Sequence, residues 1–92
     1  MILLKTVKNL KVNDIDTKTN KQGLEKHFLV CYFKEYENGF LKRYNINVFY
    51  DKNVFKDIKE NDVIPSALLE VKDFQIDNKL FRLYNLKDVS NK

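Results

Sequence analysis

Tryptophan is absent, and proline, cysteine, methionine and histidine occur once each; glycine occurs twice. Each scarcity removes a class of function. One His and one Cys cannot supply the roughly four Cys/His ligands of a structural zinc site. Cys31 has no partner for an internal disulfide, which fits a reducing compartment, and its residue type and setting predict a small buried apolar side chain in a strand. His27 stands four residues away, a separation of roughly 13 Å along an extended chain, too far to activate the thiol directly. Neither G-x-x-x-x-G-K-[ST] nor G-x-G-x-x-G occurs, so no phosphate-cradling loop is visible. Asp14 and Asp16 point the same way on a strand, but paired acids beside lysines usually form a solvated face. No catalytic residue, metal or cofactor is therefore assigned, and the chain is expected not to be an enzyme. The longest apolar run, Met1–Leu4, is too short for a signal-peptide core or a bilayer span. A cytoplasmic chain with no membrane association is expected.

What is present is a folded domain's worth of apolar residues: 92 residues, 11.0 kDa, 43% hydrophobic and 13% aromatic. That supports one domain over residues 1–92 with a small core. Charged residues make up 33%, with a formal net charge of +4. Lysine outnumbers arginine fifteen to two, and asparagine occurs eleven times. This bias is typical of an AT-rich genome, so positive charge alone carries little about ligands.

Period-two alternation dominates the chain. Ile2–Ile15 is rich in β-branched and apolar residues, and Val7 breaks phase with Leu10 and Val12, as a bulge or bend in a long strand requires. Asp16–Gly23 is polar and is expected to be a mobile loop. In Glu25–Tyr36, the set Phe28, Val30, Tyr32, Lys34 and Tyr36 alternates with Leu29, Cys31, Phe33 and Glu35. Glu37-Asn38-Gly39 supplies a tight turn with a Gly bulge. Phe40–Tyr50 follows, with Tyr44, Ile46, Val48 and Tyr50 toward the core and Arg43, Asn45, Asn47 and Phe49 toward solvent. Asp51–Glu60 is the one helical candidate: Asp51 can cap free N–H groups, and Val54, Phe55 and Ile58 share a face. Pro65 delays the next strand, giving Ala67–Ile76 and Leu80–Val89 joined at Asp77-Asn78.

The order β–β–β–short α–β–β predicts a mainly β chain. Its expected fold is a five-stranded antiparallel OB-fold-like barrel with one short helix between the third and fourth strands. Barrel closure also removes exposed sheet edges in a small chain. An SH3-like barrel and an α+β roll are the competing folds.

From the third strand onward the chain resembles small OB-fold single-stranded-DNA-binding proteins. The matching run is Asn47-Val48-Phe49-Tyr50, Val54–Ile58, Lys59-Glu60-Asn61-Asp62-Val63, Leu68–Ile76, Asp77-Asn78 and Lys79–Leu86. It departs at Asn61, where that family has Gly in a K-x-G-D turn, although Asn also accepts left-handed geometry. Pro65 is a second departure. Small size and AT-rich composition also look like a phage, plasmid or mobile-element protein. The resemblance implies sequence-independent binding of single-stranded DNA, with RNA as the alternative strand, and a platform on strands two and three.

On that platform fall Tyr32, Lys34, Tyr36, Lys42 and Arg43. Lys72, Phe74, Lys79, Arg82 and Tyr84 extend the basic and aromatic mix on the last two strands. Lys18 and Lys21 lie in the first loop, which commonly flanks an OB-fold ligand groove. Basic groups would neutralise phosphates and aromatic rings would stack bases. Aromatic residues at alternating spacing also fill small cores, and Tyr44, Tyr50, Phe33 and Phe81 are expected there. The competing function is a protein-interaction module or inhibitor encoded by a mobile element. A homo-oligomer is expected, since one domain covers only about 4–16 nucleotides.

Overall fold

A computed structural model describes residues 2–90. Five strands follow in chain order: β1 Ile2–Thr19, β2 Glu25–Glu37, β3 Phe40–Tyr50, β4 Val63–Ile76 and β5 Lys79–Ser90. They close into a barrel of order β1-β2-β3-β5-β4, with β1 also paired to β4. Every pairing is antiparallel except β3–β5, which is parallel and forms only at Val48–Tyr84 and Phe49–Asn85. This is the OB-fold barrel expected from the element order.

β1 is shared between two neighbours. Its first part, Ile2 to Lys11, pairs with β4, and Lys11 to Thr19 pairs with β2. The turn from one partner to the other needs a bend. Asn9 provides it with φ 53°, left-handed geometry that Asn tolerates better than most residues. The bend puts Val7, Leu10 and Val12 all inside despite their odd spacing. A register shift between Val12 and Asp14 adds a bulge.

The core is the inward set of each strand: Val7, Leu10, Val12, Leu29, Cys31, Phe33, Val48, Ile64, Ala67, Leu69 and Leu86. Tyr44, Ile46, Tyr50 and Tyr84 pack against it. Phe81, expected in the core, is instead 42% exposed and stacks on Phe74 with ring centroids 5.6 Å apart. Its alternation with inward Tyr84 and Leu86 places it outside.

Four expectations of local structure are corrected, the last of them at a hairpin turn. No helix forms over Asp51–Glu60; the described residues contain none. Phe55 N–H donates to the Asp51 carbonyl at 2.9 Å, one helical turn that does not continue. Asx side chains then take the backbone donors: Asn53 N–H bonds Asp51 Oδ1 at 2.9 Å, and Lys59 N–H bonds Asp62 Oδ2 at 2.8 Å. Such local bonds compete with a helix ladder. Phe55 and Ile58 still pack against the core, so a chain of turns fills the helix's place. Asn61 takes φ 71°, the left-handed geometry that the Gly of the resembling turn would supply.

Second, Asp16–Gly23 is not all loop. β1 runs on to Thr19, facing Glu25 of β2. The turn is closed by Asn20, whose Oδ1 accepts from Gln22 N–H at 2.9 Å and Leu24 N–H at 3.0 Å. Third, β4 begins at Val63, ahead of Pro65. The β1–β4 ladder passes from Lys8–Ser66 to Leu10–Ile64 with no pair at Asn9 and Pro65. The proline without an N–H lies opposite the residue that turns out of the ladder, so no hydrogen bond is lost there.

Both remaining hairpins use two-residue loops with positive φ, at Asn38 (53°) and Gly39 (82°) and at Asp77 (51°) and Asn78 (66°). This is the turn geometry that matches strand twist. Glu37 faces Phe40 directly, so the first turn carries no bulge.

Candidate nucleic-acid interface

Because Leu29, Cys31, Phe33 and Val48 point inward, the alternate residues of β2 and β3 point out. Along β2 these are Lys26, Phe28, Val30, Tyr32, Lys34 and Tyr36; along β3 they are Leu41, Arg43, Asn45, Asn47 and Phe49. None of them is acidic. The strip is ~34 Å long at the usual strand rise.

Two like-charge pairs stand directly opposite each other on this side of the sheet. Lys34 faces Arg43 across β2–β3, and Lys18 faces Lys26 across β1–β2. Like charges in register destabilise a sheet. Arg43 is partly accommodated: its guanidinium lies over the Tyr32 ring, 3.8 Å from the centroid, and its Nε–H donates to Asn45 Oδ1 at 3.0 Å. That is a cation–π contact, which leaves the charge uncompensated. Further along, Phe28 and Phe49 pack at 5.6 Å with Lys26 Nζ 6.0 Å from the Phe49 centroid.

Two concavities flank the strip. A depression of about 420 Å³ is lined by Lys8, Asn9, Lys11, Tyr32, Lys34, Leu41 and Val63. A larger cleft of about 700 Å³ lies across the β3–β5 seam, floored by Phe49 and Asn85, where Lys26, Lys52 and Lys72 meet the acids Glu25, Asp51 and Glu70. Lys72 thus joins the strip's far end.

Within the cleft Lys87 pairs with Glu70 at 3.3 Å; the other carboxylate-paired cations lie elsewhere. Lys42 is on the inward side of β3 and pairs with Glu37 at 3.2 Å. Lys5 pairs with Glu35 at 3.1 Å and sits 5.4 Å from the Phe33 centroid, in the barrel mouth where Phe33 and Tyr44 stack at 5.2 Å. Glu37 also accepts the Tyr44 hydroxyl hydrogen bond, which holds its carboxyl below the usual range and pushes the Tyr44 hydroxyl up to about 12. Arg82 forks onto Asp73 at 2.7 and 3.1 Å, which raises the guanidinium's proton affinity and lowers the Asp73 carboxyl.

Of the residues singled out in the sequence, the fold brings Tyr32, Lys34, Tyr36 and Arg43 onto one face. Lys18 joins them beside Lys26, and Lys72 joins through the cleft. Lys21 sits in the β1–β2 turn. Phe74 and Lys79 lie on the outward side of the β4–β5 hairpin, while Lys42, Arg82 and Tyr84 lie off the strip on the inward side. Lys8, Lys11, Lys26, Phe28 and Phe49 are members that the sequence reading passed over. The alternation of Phe28 with Leu29, and of Phe49 with Val48, carried the signal for two of them.

No protein-family model and no characterised protein sequence matches the chain. Among solved structures, the crystal structure of the mitochondrial single-stranded-DNA-binding protein Rim1 of S. cerevisiae is similar in fold, with a TM-score of 0.61 at 10% identity. The match covers 98% of this chain and 95% of that one. The class defined by the barrel is therefore an OB-fold domain, of the same architecture as a single-stranded-DNA-binding protein.

Proposed function

We propose that the chain binds single-stranded nucleic acid, DNA in the first instance, without catalysing a reaction. The observation that carries the reading is the pair of opposed like charges, Lys34–Arg43 and Lys18–Lys26, on a face whose β2 and β3 residues include aromatic rings and no acid; its acids, Asp14 and Asp16, lie on β1 opposite Val30 and Phe28. A polyanion laid along it relieves that repulsion and releases counterions, while Tyr32, Tyr36, Phe28 and Phe49 offer faces for bases. The fold likeness to a protein described as binding single-stranded DNA supports the same reading. Self-association would multiply the contacts made to one strand. We assign it to the exposed Ile2, Leu3 and Leu4, whose stretch of β1 has β4 on one edge and, among the described residues, no strand paired on the other.

The test is fluorescence titration with labelled oligo-dT at two salt concentrations. Affinity should fall steeply with salt. Arg43→Ala and Lys34→Ala should each weaken binding and lower the salt slope by about 0.7, the single-strand value per phosphate. Tyr36→Ala should cost about 1–3 kcal/mol of affinity with the slope unchanged. All three should keep their melting temperature, because the side chains face solvent. Salt-independent or absent oligo-dT binding would favour the protein-interaction reading instead.

A further inference from the structure

The tip of the β2–β3 hairpin carries three large apolar side chains that pack on nothing in the core. Tyr36 is 77% exposed, Phe40 74% and Leu41 52%. Tyr36 and Leu41 are cross-strand partners on the outward face. Phe40 alternates onto the opposite face, in register with Glu37. Asn38 and Gly39 join the strands in the shortest common hairpin loop, so the ribbon ends in a narrow edge with an apolar group on each side.

None of the three belongs to the buried core, and clustered exposed apolar groups mark contact sites. The surroundings of the tip point to what it would contact. The tip is continuous with the basic strip: Lys34 and Arg43 are the next outward pair after Tyr36 and Leu41. Its acid, Glu37, is already engaged by Lys42 at 3.2 Å and by the Tyr44 hydroxyl. A phosphate backbone arriving along the strip therefore meets little opposing charge there.

We propose that this tip caps the last base pair where a single strand joins a duplex. The inference rests on the single-strand reading, since the strand held on the outward face is what delivers the junction. At the junction the two bases of the terminal pair part to either side. Tyr36 with Leu41 offers a stacking surface to one, and Phe40 to the other. Aromatic side chains stack on any base, and apolar wedges are used elsewhere to unstack base steps. The ligand class is a single-strand–duplex junction, which a flat single-strand platform alone would not distinguish.

The experiment titrates the full chain with three labelled DNAs: oligo-dT, a blunt hairpin duplex, and that duplex carrying a dT tail as long as the oligo. The tailed duplex should bind about fivefold or more tighter than oligo-dT, the gain of one stacked base, and the blunt duplex weakest. Phe40→Ser should erase that gain while leaving oligo-dT affinity within about twofold, with an unchanged melting temperature as the check on folding. Equal affinities for tailed duplex and oligo-dT would overturn the junction inference and leave the single-strand reading standing. A preference that survives Phe40→Ser would overturn the assignment to the tip. Failure of the unaltered chain to bind oligo-dT or the tailed duplex would overturn both.

Discussion

Arginine occurs twice, and the two guanidiniums are used in opposite ways. Arg82 spends both prongs of its fork on Asp73, while Arg43 rests on the Tyr32 ring with an amide, Asn45, as its hydrogen-bond partner. Sequence context favours Arg43 as a ligand group, since it sits on a polar strand face. The occupation of Arg82 depends on which residue β4 places across from it, and that is a matter of register. Cys31 is the other residue whose surroundings decide its chemistry. It is 1% exposed, its Sγ lies 3.5 Å from the Ile46 carbonyl, and burial pushes the thiol up to about 12. The folded value lies above the unfolded one, so the neutral thiol's contribution to stability is complete below about pH 8.5 and fades as pH rises toward the folded value. Iodoacetamide at pH 8 should leave the native chain unmodified over times that fully label it in denaturant, read by mass spectrometry.

At the scale of elements, β1 is the strand on which the barrel turns. Asn9 at φ 53° is the hinge of that turn. Asn9→Val should lose about 1–2 kcal/mol in urea unfolding, the cost of left-handed geometry for an L side chain; Asn9→Gly should stay within a few tenths. The phase break among Val7, Leu10 and Val12 made a bend legible in the sequence. Its complement, a proline opposite the bend, was not, because pairing partners lie far apart in the chain. The same gap explains the first strand's true end: Asp16 to Thr19 are polar by composition and become strand because Glu25 to Phe28 face them. The missing helix had a different cause. Val54, Phe55 and Ile58 satisfy a helical face, but the Asp51 and Asp62 carboxylates take the Asn53 and Lys59 backbone donors locally first. The strip of Tyr32, Lys34, Tyr36 and Arg43, with Phe49 on the same face, was legible from alternation, whereas the approach of Lys72 to it needed the β3–β5 seam.

For the whole molecule, acid is the informative variable. Asp73 is held below the usual carboxylate range chiefly by the hydrogen bond from Arg82. Glu37 is held low first by Tyr44 and then by Lys42. Both folded values lie under the unfolded ones, so these groups stabilise the barrel above about pH 4 and the effect is lost as pH falls through the folded values. The melting temperature should therefore drop between pH 5 and pH 2. An Asp73→Asn, Glu37→Gln double variant should melt lower at pH 7 and show a shallower acid slope.

The seam has a consequence of its own. Eleven residue pairs join β2 to β3, yet two join β3 to β5. Part those two, and every strand keeps a neighbour in a continuous antiparallel sheet ordered β3-β2-β1-β4-β5. The molecule is in that sense a rolled sheet held by a short clasp, and Phe49 and Asn85, half of the clasp, form part of the floor of the larger cleft. Whatever lies across that floor touches both lips of the roll at once. Its binding then includes the work of keeping the roll shut, and the barrel's own breathing becomes a term in its affinity.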